Sequence, residues 1–333
     1  MEPSDALVSC LQTINDHVLD SDYLVLPQWN FQPFYFAPRV DGVYIPDEPV
    51  TLLKEGRYHH VPTIMGINRD ELSFQSVDAN DLPRPDRDIH STQHDRTLYN
   101  DLPRPDRDVH DAQHYRTLMT SLDLTEMYTM PNMMDNLVGN FSVNGPMSLQ
   151  LYEDEDPINT ANTVYEYYHL GDLNITKEDS DNLTRLYSDT VFLLSYDWSV
   201  QLMSDQTPVY AYEFHHRGEH SYLDTFFDNG LDLPQDVCHA DELQYIVYPQ
   251  HANLTTPDDL YLGNIIPTMW TNFAKTGNPT PDLSMGFLWE VSNPTSLQHL
   301  KILPQPVMEG DQRTDVRAFW ETLPLRINNL LQG

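Results

Sequence analysis

An α/β fold is predicted for this chain on three observations. The run Val61-Pro62-Thr63-Ile64-Met65-Gly66-Ile67 is continuously apolar, as a parallel strand covered on both faces must be. A second run, Pro208-Val209-Tyr210-Ala211-Tyr212-Glu213-Phe214, is rich in β-branched and aromatic residues. Between and after these runs, apolar residues recur three and four apart, the period of a helix with one buried face. Strand, helices, strand, loop, helix is the order of an α/β arrangement, and no break in composition divides residues 1–333 into two domains.

Taken in order, residues 33–68 alternate turn signals with short apolar runs, and FYFAPRVDGVYIPDEPVTLLKEG holds a Val40-Asp41-Gly42 turn between β-formers. The 61–67 strand ends at Asn68-Arg69-Asp70-Glu71. An internal repeat follows. NDLPRPDRDIHSTQHDRTL, from Asn80, returns from Asn100 as NDLPRPDRDVHDAQHYRTL, a 20-residue segment duplicated at about 80–118. Two copies are too few for a solenoid, and Pro83, Pro85, Pro103 and Pro105 start each copy as a loop. From about 117 to 205 the pattern is helical, with Thr176 and Asp179 forming an N-cap. After the 208–214 strand, a polar loop leads to Cys238-His239-Ala240-Asp241-Glu242-Leu243. Residues 259–276 form an amphipathic helix that Gly277 closes, with Pro279 beyond. The segment TLPLRINNLL ends the chain as a short helix.

Charge excludes several partners. The net charge is −33, with 51 acidic residues against 18 basic, whereas nucleic acid and anionic membranes both demand clustered Lys and Arg. No run of about 18 apolar residues exists, so no membrane span is expected. The amino terminus lacks the basic and apolar regions of a signal peptide, and the carboxyl terminus lacks the tail of a lipid anchor. Cys10 and Cys238 are too few for a disulfide framework and have no metal-finger spacing; their pairing is not legible. Four Asn-x-Ser/Thr sequons, at Asn140, Asn174, Asn182 and Asn253, are glycosylation candidates and point to an extracellular, secreted parent protein, which conflicts with the missing signal peptide unless the true amino terminus lies upstream of Met1.

Two polar residues sit just past the strands, where α/β proteins gather their active groups. Glu71 follows the first strand, and His239 lies on the loop after the second. A carboxylate that orients a histidine, and a histidine that acts as general base, are two parts of a nucleophilic triad. The segment VPTIMGINRDE resembles one in carboxylesterases and cholinesterases, where a strand ends in Gly-x-Asn-x-x-Glu. CHADELQYI resembles their His-x-x-Glu-Leu segment. VDGVYIPDEPVTLLKEG, PVYAYEFHHRG, MWTNFAKTGNPTP, LWEVSNPTSLQHLKI and FWETLP are similar to family segments in the expected order, arthropod esterases being nearest in flavour. The resemblance covers about 1–75 and 185–330 and is weak between.

The resemblance implies an incomplete α/β-hydrolase fold, the C-terminal part of the sheet with flanking helices, within a single partial type-B carboxylesterase domain. It implies Glu71 as triad acid, His239 as base, and Glu242 as a support of the histidine loop. Glu71 before His239 obeys the family's Ser, acid, His order. The substrate implied is a small-molecule carboxylic ester, with no cofactor and no metal.

Departures weigh equally. No Gly-x-Ser-x-Gly occurs, and no His-Gly-Gly-Gly loop; Gly139-Asn140-Phe141-Ser142-Val143-Asn144-Gly145 has the wrong spacing. Only 13 glycines are present, as expected where those Gly-rich motifs are missing. With no nucleophile of its own, the chain alone is expected to be inactive, and the alternatives are a non-catalytic cholinesterase-like adhesion or binding protein, or an inactive fragment. His90/His94 and His110/His114 have the i,i+4 spacing of metal ligands, but their Pro-rich, charge-mixed context reads as a solvated loop. His215, His216 and His220 are read the same way. Cys238 has no nucleophile elbow, and the Tyr and Met clusters near 119–134 and 165–168 read as core or gorge lining.

Overall fold

The computed structural model describes residues 38–73, 137–151, 153–226, 235–247 and 254–332, with isolated positions 9 and 13. The 80–118 repeat, Cys10, Asn253 and the start of the helical stretch lie outside the described residues.

Among the described residues, four strands form one sheet in the order β1 (Thr63–Asn68), β2 (Val209–Phe214), β3 (Gln298–Ile302), β4 (Val307–Gly310). β1 pairs with β2 in parallel, Thr63 opposite Val209 through Asn68 opposite Phe214. β2 pairs with β3 in parallel, and β3 with β4 antiparallel. The two expected strands are therefore neighbours, and their carboxyl ends lie side by side.

β2 is buried along its whole length, and its alternation explains the residues it carries. Tyr210, Tyr212 and Phe214 pack with Leu262, Ile265, Ile266 and Met269 of the helix Pro257–Thr276, together with Trp289, Leu300 and Ile302. Val209 and Ala211 face the other way, onto Leu193, Tyr196 and Val200. Helices thus cover both faces, the condition for a parallel strand that reads as one apolar run.

The helices in chain order are α1 (Pro49–Lys54), α2 (Phe141–Ser148), α3 (Pro157–Tyr167), α4 (Ser180–Ser188), α5 (Leu194–Ser204), α6 (Tyr222–Phe226), α7 (Leu243–Ile246), α8 (Pro257–Thr276), α9 (Thr314–Glu321) and α10 (Arg326–Gln332). A single π turn, Asp189–Leu193, joins α4 to α5. α2, α3, α4 and α9 enclose a second core around Tyr165, Tyr168, Tyr187 and Trp320, so the 165–168 aromatics are core. α8 ends as expected: Gly277 adopts φ 75° and donates its N–H to Phe273 O at 2.7 Å. Its start lies two residues earlier than read from the sequence, because Thr256 caps it through Asp259 N–H and Pro257 fits the first turn.

Two local expectations take a different form. The Val40-Asp41-Gly42 turn is present, with Asp41 Oδ1 accepting the N–H groups of Val43, Tyr44 and Ile45, but the described residues on either side, 38–40 and 43–48, form no strand. Asp179 Oδ2 takes the Thr176 N–H and hydroxyl, the reverse arm of the expected cap, and a short 3₁₀ turn precedes α4. No helix among the described residues is long and apolar enough to cross a membrane.

Candidate active site

Two loops meet beyond the carboxyl ends of β1 and β2, and backbone hydrogen bonds bind them together. Asp70 N–H donates to Val237 O at 3.0 Å, and His239 N–H donates to Glu71 O at 3.0 Å. Val237 N–H returns to Asp70 Oδ2 at 2.9 Å, and Arg69 reaches Gln235 O at 2.9 Å. The 69–71 segment and the 235–239 segment therefore share one register.

That register brings Glu71 to His239. Nδ1 of His239 lies 2.7 Å from Glu71 Oε2. The other carboxylate oxygen, Oε1, accepts the Asn68 N–H at 2.7 Å. Glu71 is buried, its side chain 5% exposed, while the imidazole is 53% exposed. An ionised carboxylate only accepts, so Nδ1 carries the proton and Nε2 is left as the basic nitrogen. The hydrogen bond that His239 donates to Glu71, opposed by burial, holds the His239 pKa above its ordinary value. Beside the ring stands Phe192, 4.9 Å between centroids and tilted by 34°.

Three further residues fix this geometry. Asn68 ends β1 and donates through Nδ2 to Cys238 O at 2.7 Å and to Glu242 Oε2 at 2.6 Å. Glu242 thus ties the histidine loop to the end of β1, and burial raises its pKa. Ala240 adopts a left-handed φ of 72°, strain that the surroundings must hold. Asp241 holds it: fully buried, its carboxylate accepts Cys238 N–H at 2.9 Å, Ser221 Oγ–H at 2.9 Å and Tyr222 N–H at 2.8 Å. Burial nevertheless pushes Asp241 up to about 6.

Sequence reasoning singled out Glu71, His239 and Glu242, and the structure brings all three into this one cluster. Asn68, Asp241 and Phe192 were missed. An acid three residues past Cys238 is a local turn signal that could have marked Asp241. Nothing in a helical run marks Phe192. Cys238 is a buried free thiol whose pKa burial raises strongly, the opposite of an activated nucleophile. His215 pairs with Glu213 at 2.7 Å and His216 with Asp259 at 2.6 Å, each a partnered, largely buried side chain. Among the described residues no group of three or more His, Cys, Asp or Glu could hold a metal ion.

A mixed sheet, parallel through β1, β2 and β3 and flanked by helices, with a carboxylate–imidazole pair on loops past the strand ends, is the arrangement of a partial α/β-hydrolase fold. The chain belongs to the carboxylesterase family, whose model matches residues 1–320 and so spans the stretch where sequence resemblance is weak. It is similar to neuroligin-2 of Homo sapiens, 23% identical over 317 residues, covering 89% of this chain and 31% of that protein. It is similar to acetylcholinesterase of Bungarus fasciatus, 24% identical over 331 residues, covering 97% of this chain and 45% of the relative. Venom carboxylesterase-6 of Apis mellifera is 27% identical over 177 residues, 51% of this chain and 31% of that protein. The chain spans less than half the length of each.

Proposed function

We propose that this chain supplies the acid and the base of a serine-type carboxylic-ester hydrolase. His239 is the general base, and Glu71 orients it and stabilises the imidazolium. The observation that carries the reading is the 2.7 Å contact from Nδ1 to a buried carboxylate that Asn68 N–H holds from its other side. In the reaction, Nε2 takes the proton of a serine hydroxyl as its oxygen attacks the ester carbonyl carbon. It then gives that proton to the departing alkoxide, and water repeats the cycle on the acyl-enzyme. No residue of this chain is assigned as nucleophile, since the sequence holds no Gly-x-Ser-x-Gly. The substrate class is a small carboxylic ester, and no cofactor is required. Residues 1–333 are read as part of one such domain.

An extracellular location is part of the proposal. The name of the Apis mellifera relative places that protein in venom. Asn140 and Asn174 are exposed sequon asparagines, while Asn182 is half-buried in the first turn of α4. Enzymatic deglycosylation of the native protein is expected to lower its mass at Asn140 and Asn174.

A second reading, a non-catalytic cholinesterase-like binding protein, is favoured by the likeness to neuroligin-2. The two separate in one experiment. The native-length protein is treated with a fluorophosphonate probe and assayed on short p-nitrophenyl esters. Labelling and turnover that both disappear in His239→Gln support the hydrolase. A folded native-length protein that neither labels nor turns over the ester supports the binding protein instead.

A further inference from the structure

We propose that the π turn Asp189–Leu193 is a positioning element for His239, acting through Phe192; this rests on the reading of His239 as general base. Residues 180–204 run as α4, the π turn and α5 without interruption. In the π turn the Leu194 N–H donates to Asp189 O, so the turn holds one residue more than an α turn. Such wide turns are rare and are frequently found at functional sites.

Contacts from this segment reach His239 itself and the backbone of the residue that follows Glu71. Ser188, just before the turn, accepts the Leu72 N–H on its Oγ at 3.0 Å, the residue next to Glu71. Phe192, one turn further, lies against the His239 ring. Phe192 also packs against both the helical core and the core beneath β1 and β2. On its far side the turn is anchored. Asp189 is 5% exposed and accepts Tyr168 O–H at 2.6 Å, and that hydroxyl accepts Trp320 Nε1–H at 3.2 Å.

A wall is needed because His239 is half-exposed and bound at Nδ1. One hydrogen bond fixes the place of Nδ1 but lets the ring swing about the Nδ1–Oε2 line, carrying Nε2 through an arc. A rigid aromatic face removes that freedom. It also favours the imidazolium that forms when Nε2 takes a proton, since a cation within about 6 Å of a ring centroid is attracted to it. Geometry therefore makes Phe192 a positioning residue: it touches the base, not the reacting atoms.

The test compares wild type with Phe192→Leu and Phe192→Tyr. Imidazole nitrogens are followed by long-range ¹H–¹⁵N NMR across pH in this chain, and kcat and KM on p-nitrophenyl acetate in the native-length protein. In Phe192→Leu, His239 is expected to titrate at lower pH, and kcat to fall on the order of 10-fold with KM nearly unchanged. Phe192→Tyr, which keeps the aromatic face, is expected to restore both. An unchanged His239 titration and unchanged kcat in Phe192→Leu overturn the proposal. So does a Phe192→Tyr variant that folds but matches Phe192→Leu. Should Phe192→Leu fail to fold, Phe192→Tyr against wild type decides, since a positioning wall must leave its pH profile intact. His239→Gln separates this from the underlying reading. If it keeps turnover, the base assignment falls. If it loses turnover while Phe192→Leu keeps it, the Phe192 proposal alone falls.

Discussion

Glu71 serves two donors with two oxygens, the Asn68 N–H on Oε1 and His239 Nδ1 on Oε2. Glu71→Gln leaves one acceptor oxygen for both. If the amide carbonyl turns to Asn68, its NH₂ faces His239 and forces the ring into the other tautomer. The pKa of His239 is raised mainly by the Glu71 hydrogen bond, so this variant is expected to titrate at lower pH with the neutral-form proton moved to Nε2. Imidazole ¹⁵N shifts check both, and an unchanged tautomer contradicts the argument. In the native-length protein kcat is expected to fall about 10⁴-fold, because the nitrogen that must accept the proton already holds one. Glu71 and His239 were legible because each sits in a motif whose neighbours are adjacent in sequence. Asn68, Asp241 and Phe192 do their work across space. Asn68 reads as a strand terminus, yet its amide joins Cys238 and Glu242. Phe192 reads as one more apolar residue in a helix, and its contact with the His239 ring is visible only once the π turn that carries it is folded against the histidine loop.

Among elements, β1, β2 and α8 were legible in the sequence because each carries a strong local signal: a continuous apolar run, a β-branched and aromatic run, and a Gly277 stop. β3 and β4 were not. They have five and four residues, and their burial follows no simple alternation, so no period could mark them. Strand pairing likewise explains a residue that propensity disfavours. Gly66 lies opposite Tyr212 in the β1–β2 register. A Cβ at Gly66 would fall 2.0 Å from the Tyr212 ring. That ring cannot retreat, since it is 8% exposed and packed edge-on against Trp270 at 5.5 Å and Trp289 at 6.0 Å. Gly66→Ala is therefore expected to cost about 1–3 kcal/mol of stability as an overpacking change. It should also loosen the Asn68–Glu242 tie two residues along β1. Chemical denaturation measures the first effect, and the His239 titration reports the second. A melt equal to wild type contradicts the steric account. Gly66, the glycine of this chain's Gly-x-Asn-x-x-Glu segment, is thus a packing requirement of the neighbouring strand.

For the whole molecule the question is where its −33 charge and its buried acids place maximum stability. Asp189, Asp236 and Asp241 are each pushed up to about 6, chiefly by burial, against an ordinary value of 3.8. A group whose folded pKa is raised holds its proton more tightly when folded. Between roughly pH 4 and 6 the native state therefore binds more protons, and stability falls as pH rises. Surface repulsion among 51 acids against 18 bases acts in the same direction. His239 adds to it, because its raised pKa contributes stability that is lost as pH climbs through the folded value. Glu213 opposes. Burial would raise it, but the His215 hydrogen bond and the Arg313 charge hold it down at about 2. Arg313 grips Glu213 at 2.6 Å and Asp197 at 2.6 and 3.0 Å. That depressed pKa contributes stability above its ordinary 4.5 and loses it as pH falls toward 2. The two trends cross near pH 5. The melting temperature is expected to be higher at pH 5 than at pH 8 by about 5 °C or more, and to drop again below pH 4. Salt divides the causes. At pH 8, 0.5 M NaCl screens exposed charges but reaches buried carboxyls poorly, so it should recover only part of the difference. Full recovery by salt would assign the effect to the surface alone, and a melting temperature that rises from pH 5 to pH 8 would remove the buried acids from the account.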